Sequence, residues 1–168
     1  MKKTVLAVLL LVAMLTLSVF AVAEDEVIKI GGLAPLTGEV AQYGIAVQEG
    51  VDLYIEQLNA QGGIDGKKVE MIWYDEKGEV TDAINAYNML VENDKVHAII
   101  GDVTSKPTLA VAEEAAQIGI PMITASSTAY DVTTDRPNVF RSCFLDPFQA
   151  KTMANFAKDQ FGAQKVAV

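Results

Sequence analysis

Three groups of uncharged hydroxyls are the residues of this chain best suited to hold a small solute: Thr37 with Tyr43, Thr104 with Ser105, and Ser126 with Ser127 and Thr128. Hydroxyls donate to a carboxylate without adding a titratable group. The unsatisfied N–H groups of a helix start add partial positive charge beside them. Each group lies where an apolar, strand-like run gives way to a helical pattern. Ser and Thr are also common helix caps, and any one of these residues, taken singly, reads better as a cap. Three groups on one edge shift the balance toward a small-molecule site.

The residues that would support other chemistry are few. His97 is the sole histidine and stands at the start of a predicted strand, so a Ser-His-acid triad has nothing else to draw on. No Cys/His cluster builds a zinc site, and Cys143, the sole cysteine, reads as a buried inert thiol. Asp75 and Glu76 end a predicted strand and read as a solvated turn rather than a catalytic carboxylate pair. Asp102 follows another strand, either as a helix-entry residue or against a cationic group of a ligand. Gly31-Gly32 does not continue into a dinucleotide fingerprint, and neither a phosphate loop nor a nucleophile elbow is present. No catalytic residue, metal site or cofactor is therefore expected.

These residues need a scaffold, and the apolar pattern supplies one. Val27–Leu33 reads as a buried strand; Val47, Gly50, Val51, Tyr54, Ile55 and Leu58 then form one helical face. Gly62-Gly63 stops that helix, and a turn at Ile64–Lys67 leads to a strand at Val69–Tyr74. Ala83, Ala86, Tyr87, Leu90 and Val91 form a second helical face, followed by a strand at Val96–Ile100 and an Ala-rich helix at Pro107–Ile118. Strands at Met122–Ala125 and Val139–Cys143 come next. The alternation predicts an α/β fold, a parallel sheet with helices on both faces, whose strand C-terminal ends open on one ligand-binding edge. Beyond Cys143 a new helix is expected, with Asp146 as N-cap, Pro147 at its first position, an apolar side of Phe148, Met153, Phe156 and Phe161, and Gly162 as its stop. Lys165–Val168 then reads as the start of a strand.

The first 23 residues have the form of a secretory signal peptide. Lys2 and Lys3 precede an apolar run at Val5–Phe20, and Ala21-Val22-Ala23 offers small residues for cleavage before Glu24. A retained membrane anchor is the competing reading of the same run. Cleavage leaves 145 residues, enough for one substantial core, and takes the net charge from −9 to −11. So acidic a chain disfavours nucleic acid and anionic lipid as partners. An exported, soluble chain is expected, periplasmic or extracellular.

The stretch IKIGGLAPLTGEVAQYGIAVQEGVDLYIEQLNAQGGIDGKKVEMIWYDEKGE, together with AIIGDVTSKPTLAVAEEAAQIGIPMITASSTA, resembles the branched-chain amino acid-binding proteins. These are type I periplasmic substrate-binding proteins of ATP-driven (ABC) importers. The spacing G-x5-G-x5-G at Gly32, Gly38 and Gly44, with N-A-x-G-G-I-x-G from Asn59, carries the resemblance in combination. It implies two α/β lobes closing on an amino acid, and a membrane permease as partner. It also implies roles for Tyr43 as an aromatic bordering the ligand, Ser105 as a carboxylate-binding hydroxyl, Ser126 as a backbone carbonyl for the ammonium, and Thr128 as a hydroxyl and amide serving both charges. By the same resemblance, residues 24–143 form the N-terminal lobe and 144–168 the truncated start of a second lobe. Gly78 and Thr104 stand where some members carry a cysteine pair, and Lys106 where small hydroxyl residues are common. A ligand-binding sensory domain is the alternative of the same shape; a small α/β hydrolase or dehydrogenase is the alternative of another class.

Overall fold

The computed structural model describes residues 27–165. The signal peptide expected at 1–23 and nearly all of the strand expected at 165–168 lie outside the described residues. Five parallel strands form one sheet: β1 (Ile28–Ala34), β2 (Val69–Asp75), β3 (Ala98–Ile100), β4 (Met122–Thr124) and β5 (Val139–Arg141). Their order is β2-β1-β3-β4-β5. β1 pairs with β2 along its whole length, from Ile28 opposite Val69 to Ala34 opposite Asp75, and with β3 from Ile30 opposite Ala98 to Gly32 opposite Ile100. The parallel α/β fold is as expected, though β3, β4 and β5 are each shorter than their apolar runs.

The connections are α1 (Ala41–Ala60), α2 (Val80–Asn88) continued by a π-helical turn at Met89–Asp94, α3 (Ser105–Ile118), and a 3₁₀ turn at Tyr130–Val132. α2 and α3 pack on each other, and their apolar faces meet one side of the sheet. Leu33, Leu90, Ile99, Val111 and Met122 are at most 1% exposed there. Burying each such side chain contributes roughly 1.5–3 kcal/mol. Gly31 admits this packing, since a Cβ there would stand 2.8 Å from Leu90 Cδ1, and Gly32, on the other side of the strand, makes room for the Trp73 ring.

α1 packs across the β1–β2 part of the opposite side. Its predicted apolar face is present but incompletely covered: Val47, Val51, Ile55 and Leu58 line an open groove of about 890 Å³ with Ile100 and Ala125. A final helix, α4 (Asp146–Phe161), starts one residue earlier than expected, with Leu145 at the N-cap, and stops at Gly162 in the left-handed region. Phe148, Met153, Phe156 and Phe161 are all exposed on it.

The strand order changes direction between β1 and β3. Chain leaving β1 enters α1 on one face of the sheet, and chain leaving β3 enters α3 on the other. A crevice opens at such a switch point, at the C-terminal ends of the strands. Tyr43 lies in the first turn of α1 and Ser105 at the first residue of α3, one on each flank.

Candidate ligand-binding site

The loop after β1 owes its shape to Asp75. One carboxylate oxygen accepts the amides of Leu36 (2.8 Å), Thr37 (3.3 Å) and Lys77 (3.0 Å), and the other accepts the Thr37 hydroxyl at 2.5 Å. Burial works to raise this carboxyl, but the Thr37 hydroxyl and the three amides outweigh it and hold it below the ordinary aspartate value. Thr37 is thus occupied within the protein. Gly44 then lets α1 close onto the Pro35 carbonyl, where any Cβ would collide. This contact sets the first turn of α1, from which Tyr43 projects with 57% of its surface exposed.

The loops after β3 and β4 are bound to each other. Ser105 Oγ accepts the Ala129 amide at 3.3 Å. Ser126 donates its hydroxyl to the Val103 carbonyl at 2.7 Å, and Thr124 donates to the Asp102 carbonyl at 2.5 Å. Ser127 is fully buried, with its hydroxyl against Thr108 Oγ1 and the Val103 carbonyl. Arg141, at the end of β5, completes the loop by donating to the carbonyls of Ser127 (2.9 Å) and Tyr130 (3.1 Å) and to the Thr133 hydroxyl (3.2 Å). Thr128 is half-buried, and its carbonyl accepts the amide of Asp146 at the start of α4.

The four candidate residues therefore fall into a group and an outlier. Ser105, Ser126 and Thr128 sit together on the two joined loops. Tyr43 lies apart from them, in the first turn of α1. A separate hollow of about 780 Å³ beside β5 is lined by Tyr130, Arg141, Cys143 and Phe148 among others, and by none of the four.

Several expectations need correction. α3 starts without a side-chain cap, so neither Thr104 nor Ser105 performs the capping role that competed with ligand binding. The third hydroxyl group leads into a 3₁₀ turn rather than an α-helix. Cys143 is half-buried rather than buried, and its thiol donates to the Ser127 carbonyl at 3.4 Å. His97, by contrast, lies where it is expected, before β3 at the far end of the sheet, and its ring accepts the Lys29 amide at 3.2 Å.

Glu76 and Asp102 depart furthest from expectation. Glu76 is not in a solvated turn, and Asp102 neither enters a helix nor reaches the crevice: both side chains are fully buried. They follow β2 and β3, which flank β1, and their carboxyls meet beneath the site loops. Burial, with the adjacent Glu76 carboxyl, pushes Asp102 up to about 8, and burial raises Glu76 as well. Sequence reasoning also missed Arg141; its signal was a lone arginine within the predicted strand Val139–Cys143.

Residues 27–168 match the family model described as periplasmic binding protein. A Leu/Ile/Val-binding protein homolog of Brucella melitensis is 37% identical over 150 residues, which are 89% of this chain and 40% of that protein. The branched-chain amino acid transporter substrate-binding protein of Streptococcus pneumoniae, solved in complex with isoleucine, superposes with a TM-score of 0.79 at 36% identity, covering 82% of this chain and 40% of that one. A solute-binding protein of Rhodopseudomonas palustris, solved with 3,4-dihydroxybenzoic acid, gives a TM-score of 0.75 at 27% identity over 82% of this chain and 37% of its own. The chain thus spans about two fifths of the length of these relatives.

Proposed function

The chain belongs to the periplasmic binding protein family, and from that premise we propose that it contributes the first-lobe wall of an amino acid receptor for an ATP-driven importer. In this reading residues 24–143 form that lobe and 144–168 begin the second. The receptor works outside the cytoplasmic membrane once residues 1–23 are removed, passes its ligand to a membrane permease, and acts by binding without covalent chemistry. No helix among the described residues is long and apolar enough to cross a membrane.

The ligand class is a branched-chain or related amino acid. A zwitterion needs donors and acceptors within a few ångströms of each other, and the joined loops offer both. The Ser105 hydroxyl and the first N–H groups of α3 take the carboxylate. The Ser126 carbonyl takes the ammonium, Thr128 serves both charges, and Tyr43 borders the ligand side chain. The observation that carries the reading is the Ser105–Ala129 bond, which draws these two polarities onto one short arc of the sheet edge. The Brucella relative, a Leu/Ile/Val-binding protein homolog, and the isoleucine-bound Streptococcus relative support the same class.

An aromatic carboxylate is the second reading, favoured by the Rhodopseudomonas relative; it uses the carboxylate half of the arc and leaves the Ser126 carbonyl without a role. Both readings are tested by titrating the ¹⁵N-labelled chain with isoleucine and, separately, with 3,4-dihydroxybenzoate. One wall supplies only part of the contact, so affinity on the order of millimolar is expected. Isoleucine should move the amides of Ser105, Ser126 and Thr128. Shifts there from the benzoate alone select the second reading, and no shift at these amides with either compound overturns both.

A further inference from the structure

Glu76 and Asp102 each have one carboxyl oxygen satisfied and one not. Glu76 Oε2 accepts the Gly78 amide at 2.8 Å, and Asp102 Oδ1 accepts the Val103 amide. Glu76 Oε1 and Asp102 Oδ2 are buried with no donor. An ionised carboxyl only accepts hydrogen bonds, so two ionised carboxyls would leave two like charges and two orphaned acceptors in a dry interior. That arrangement is costly on both counts. One proton held by the pair removes one of those charges and supplies a donor.

We propose that Glu76 and Asp102 share one proton, and that this proton clamps the turn after β2 to the loop after β3 on which the binding residues depend. The inference rests on the ligand reading above for its functional meaning, and it makes the two acids positioning residues rather than ligand contacts. Its mechanical route is short. The Asp102 carbonyl holds the Thr124 hydroxyl, and the Val103 carbonyl holds the hydroxyls of Ser126 and Ser127. The loop that leads into Ser105 is therefore fixed at its base by the acid pair. Asp75 also faces Glu76 and adds a further negative charge. The Gly78 amide donates to the Glu76 carboxyl, the Glu79 amide to the Glu76 backbone carbonyl, and the Val103 amide to the Asp102 carboxyl.

The direction of the pH effect follows from linkage. In the unfolded chain both carboxyls ionise near their ordinary values, about 4. In the folded chain burial and the Glu76 carboxyl push Asp102 up to about 8. The pair's contribution to stability is thus complete at acid pH, declines as pH rises, and is lost once pH passes the folded value.

The test is a carboxyl ¹³C NMR titration of the chain labelled at Asp and Glu, followed by amide hydrogen exchange. One aspartate carboxyl should titrate near pH 8 and vanish from the spectrum of D102N. In E76Q that titration should move down by more than about one pH unit, because the like charge is gone. Exchange at the Val103 and Ser127 amides should accelerate at least about tenfold beyond ordinary base catalysis as wild type passes that pH, and E76Q should show no such break. If every aspartate in wild type titrates below about pH 6, the shared proton is overturned. A titration near pH 8 with no break in exchange overturns the clamp. These measurements contain no ligand, so absent isoleucine binding beside a confirmed titration strikes the ligand reading and supports this one.

Discussion

The Ser105 hydroxyl accepts the backbone amide of Ala129 at 3.3 Å, joining the first residue of α3 to the loop that follows β4. Ser105→Ala removes the acceptor and leaves a half-buried N–H without it, a loss of about 1 kcal/mol. The same hydroxyl is proposed to donate to the ligand carboxylate, where a charge-assisted bond is worth about 1.5–3 kcal/mol. Denaturant unfolding should therefore show a modest shift in midpoint, while the isoleucine titration should weaken about tenfold or more. Equal, small effects on both would remove Ser105 from the binding set.

Asp75 should prove more important to folding than its place in a turn suggests. It collects three amides and one hydroxyl, and so joins β2 to the loop after β1. Asp75→Ala should cost roughly 3 kcal/mol, on the scale of hydrogen bonds to a charged group. Its carboxyl lies below the ordinary value in the folded state. Its stabilising contribution is therefore complete above the unfolded value of 3.8 and is lost as pH falls through the lower, folded value. Wild type should lose stability through that acid window, and Asp75→Asn should flatten this part of the profile. An unchanged acid limb in the variant would contradict this account.

The fold was legible because its signals are local and repeated. Apolar runs of strand length alternate with helical faces such as Ala83–Ala86–Tyr87–Leu90, and those four residues are indeed buried. Much less of the site was legible. Ser126 and Ser127 are adjacent and chemically identical, yet one is exposed and the other fully buried, because side chains alternate as chain leaves a strand. Glu76 and Asp102 stand 26 positions apart, and only the β2-β1-β3 order brings their carboxyls together. Charge in a turn ordinarily signals solvent, so nothing local marked either acid as buried. The exposed apolar side of α4 and the open groove along α1 likewise depend on what packs there, which spacing does not report.

Gly44 provides a test of how α1 is seated. A Cβ there would strike the Pro35 carbonyl, which is backbone and cannot swing aside. Gly44→Ala should push the first turn of α1 away from the sheet edge at a cost of about 1–3 kcal/mol, as in other overpacked sites. Tyr43 moves with that turn. Tyr43→Ala, at a position 57% exposed, should change stability by less than about 0.5 kcal/mol. The comparison isolates the ring: weaker isoleucine binding in Tyr43→Ala without loss of stability assigns Tyr43 to the ligand, and unaltered binding withdraws it.

The serine pair and Thr128 give the sharpest separation between scaffold and site. Ser127→Ala deletes a fully buried hydroxyl and strips partners from Thr108 and the Val103 carbonyl, so it should cost about 1–3 kcal/mol. Ser126→Ala removes only the bond to Val103 and retains the backbone carbonyl proposed to hold the ammonium. Its effect on isoleucine binding should stay within about threefold, since a lost neutral bond at an exposed position is worth well under 1 kcal/mol. Thr128→Ala removes a hydroxyl assigned to the charged groups themselves, and binding should fall about tenfold or more, with stability nearly unchanged. Thermal unfolding and the isoleucine titration on the three variants, measured side by side, check the assignment. If Ser126→Ala weakens binding as much as Thr128→Ala, the ammonium is held by the Ser126 side chain or lies elsewhere. The division between carbonyl and hydroxyl contacts then fails.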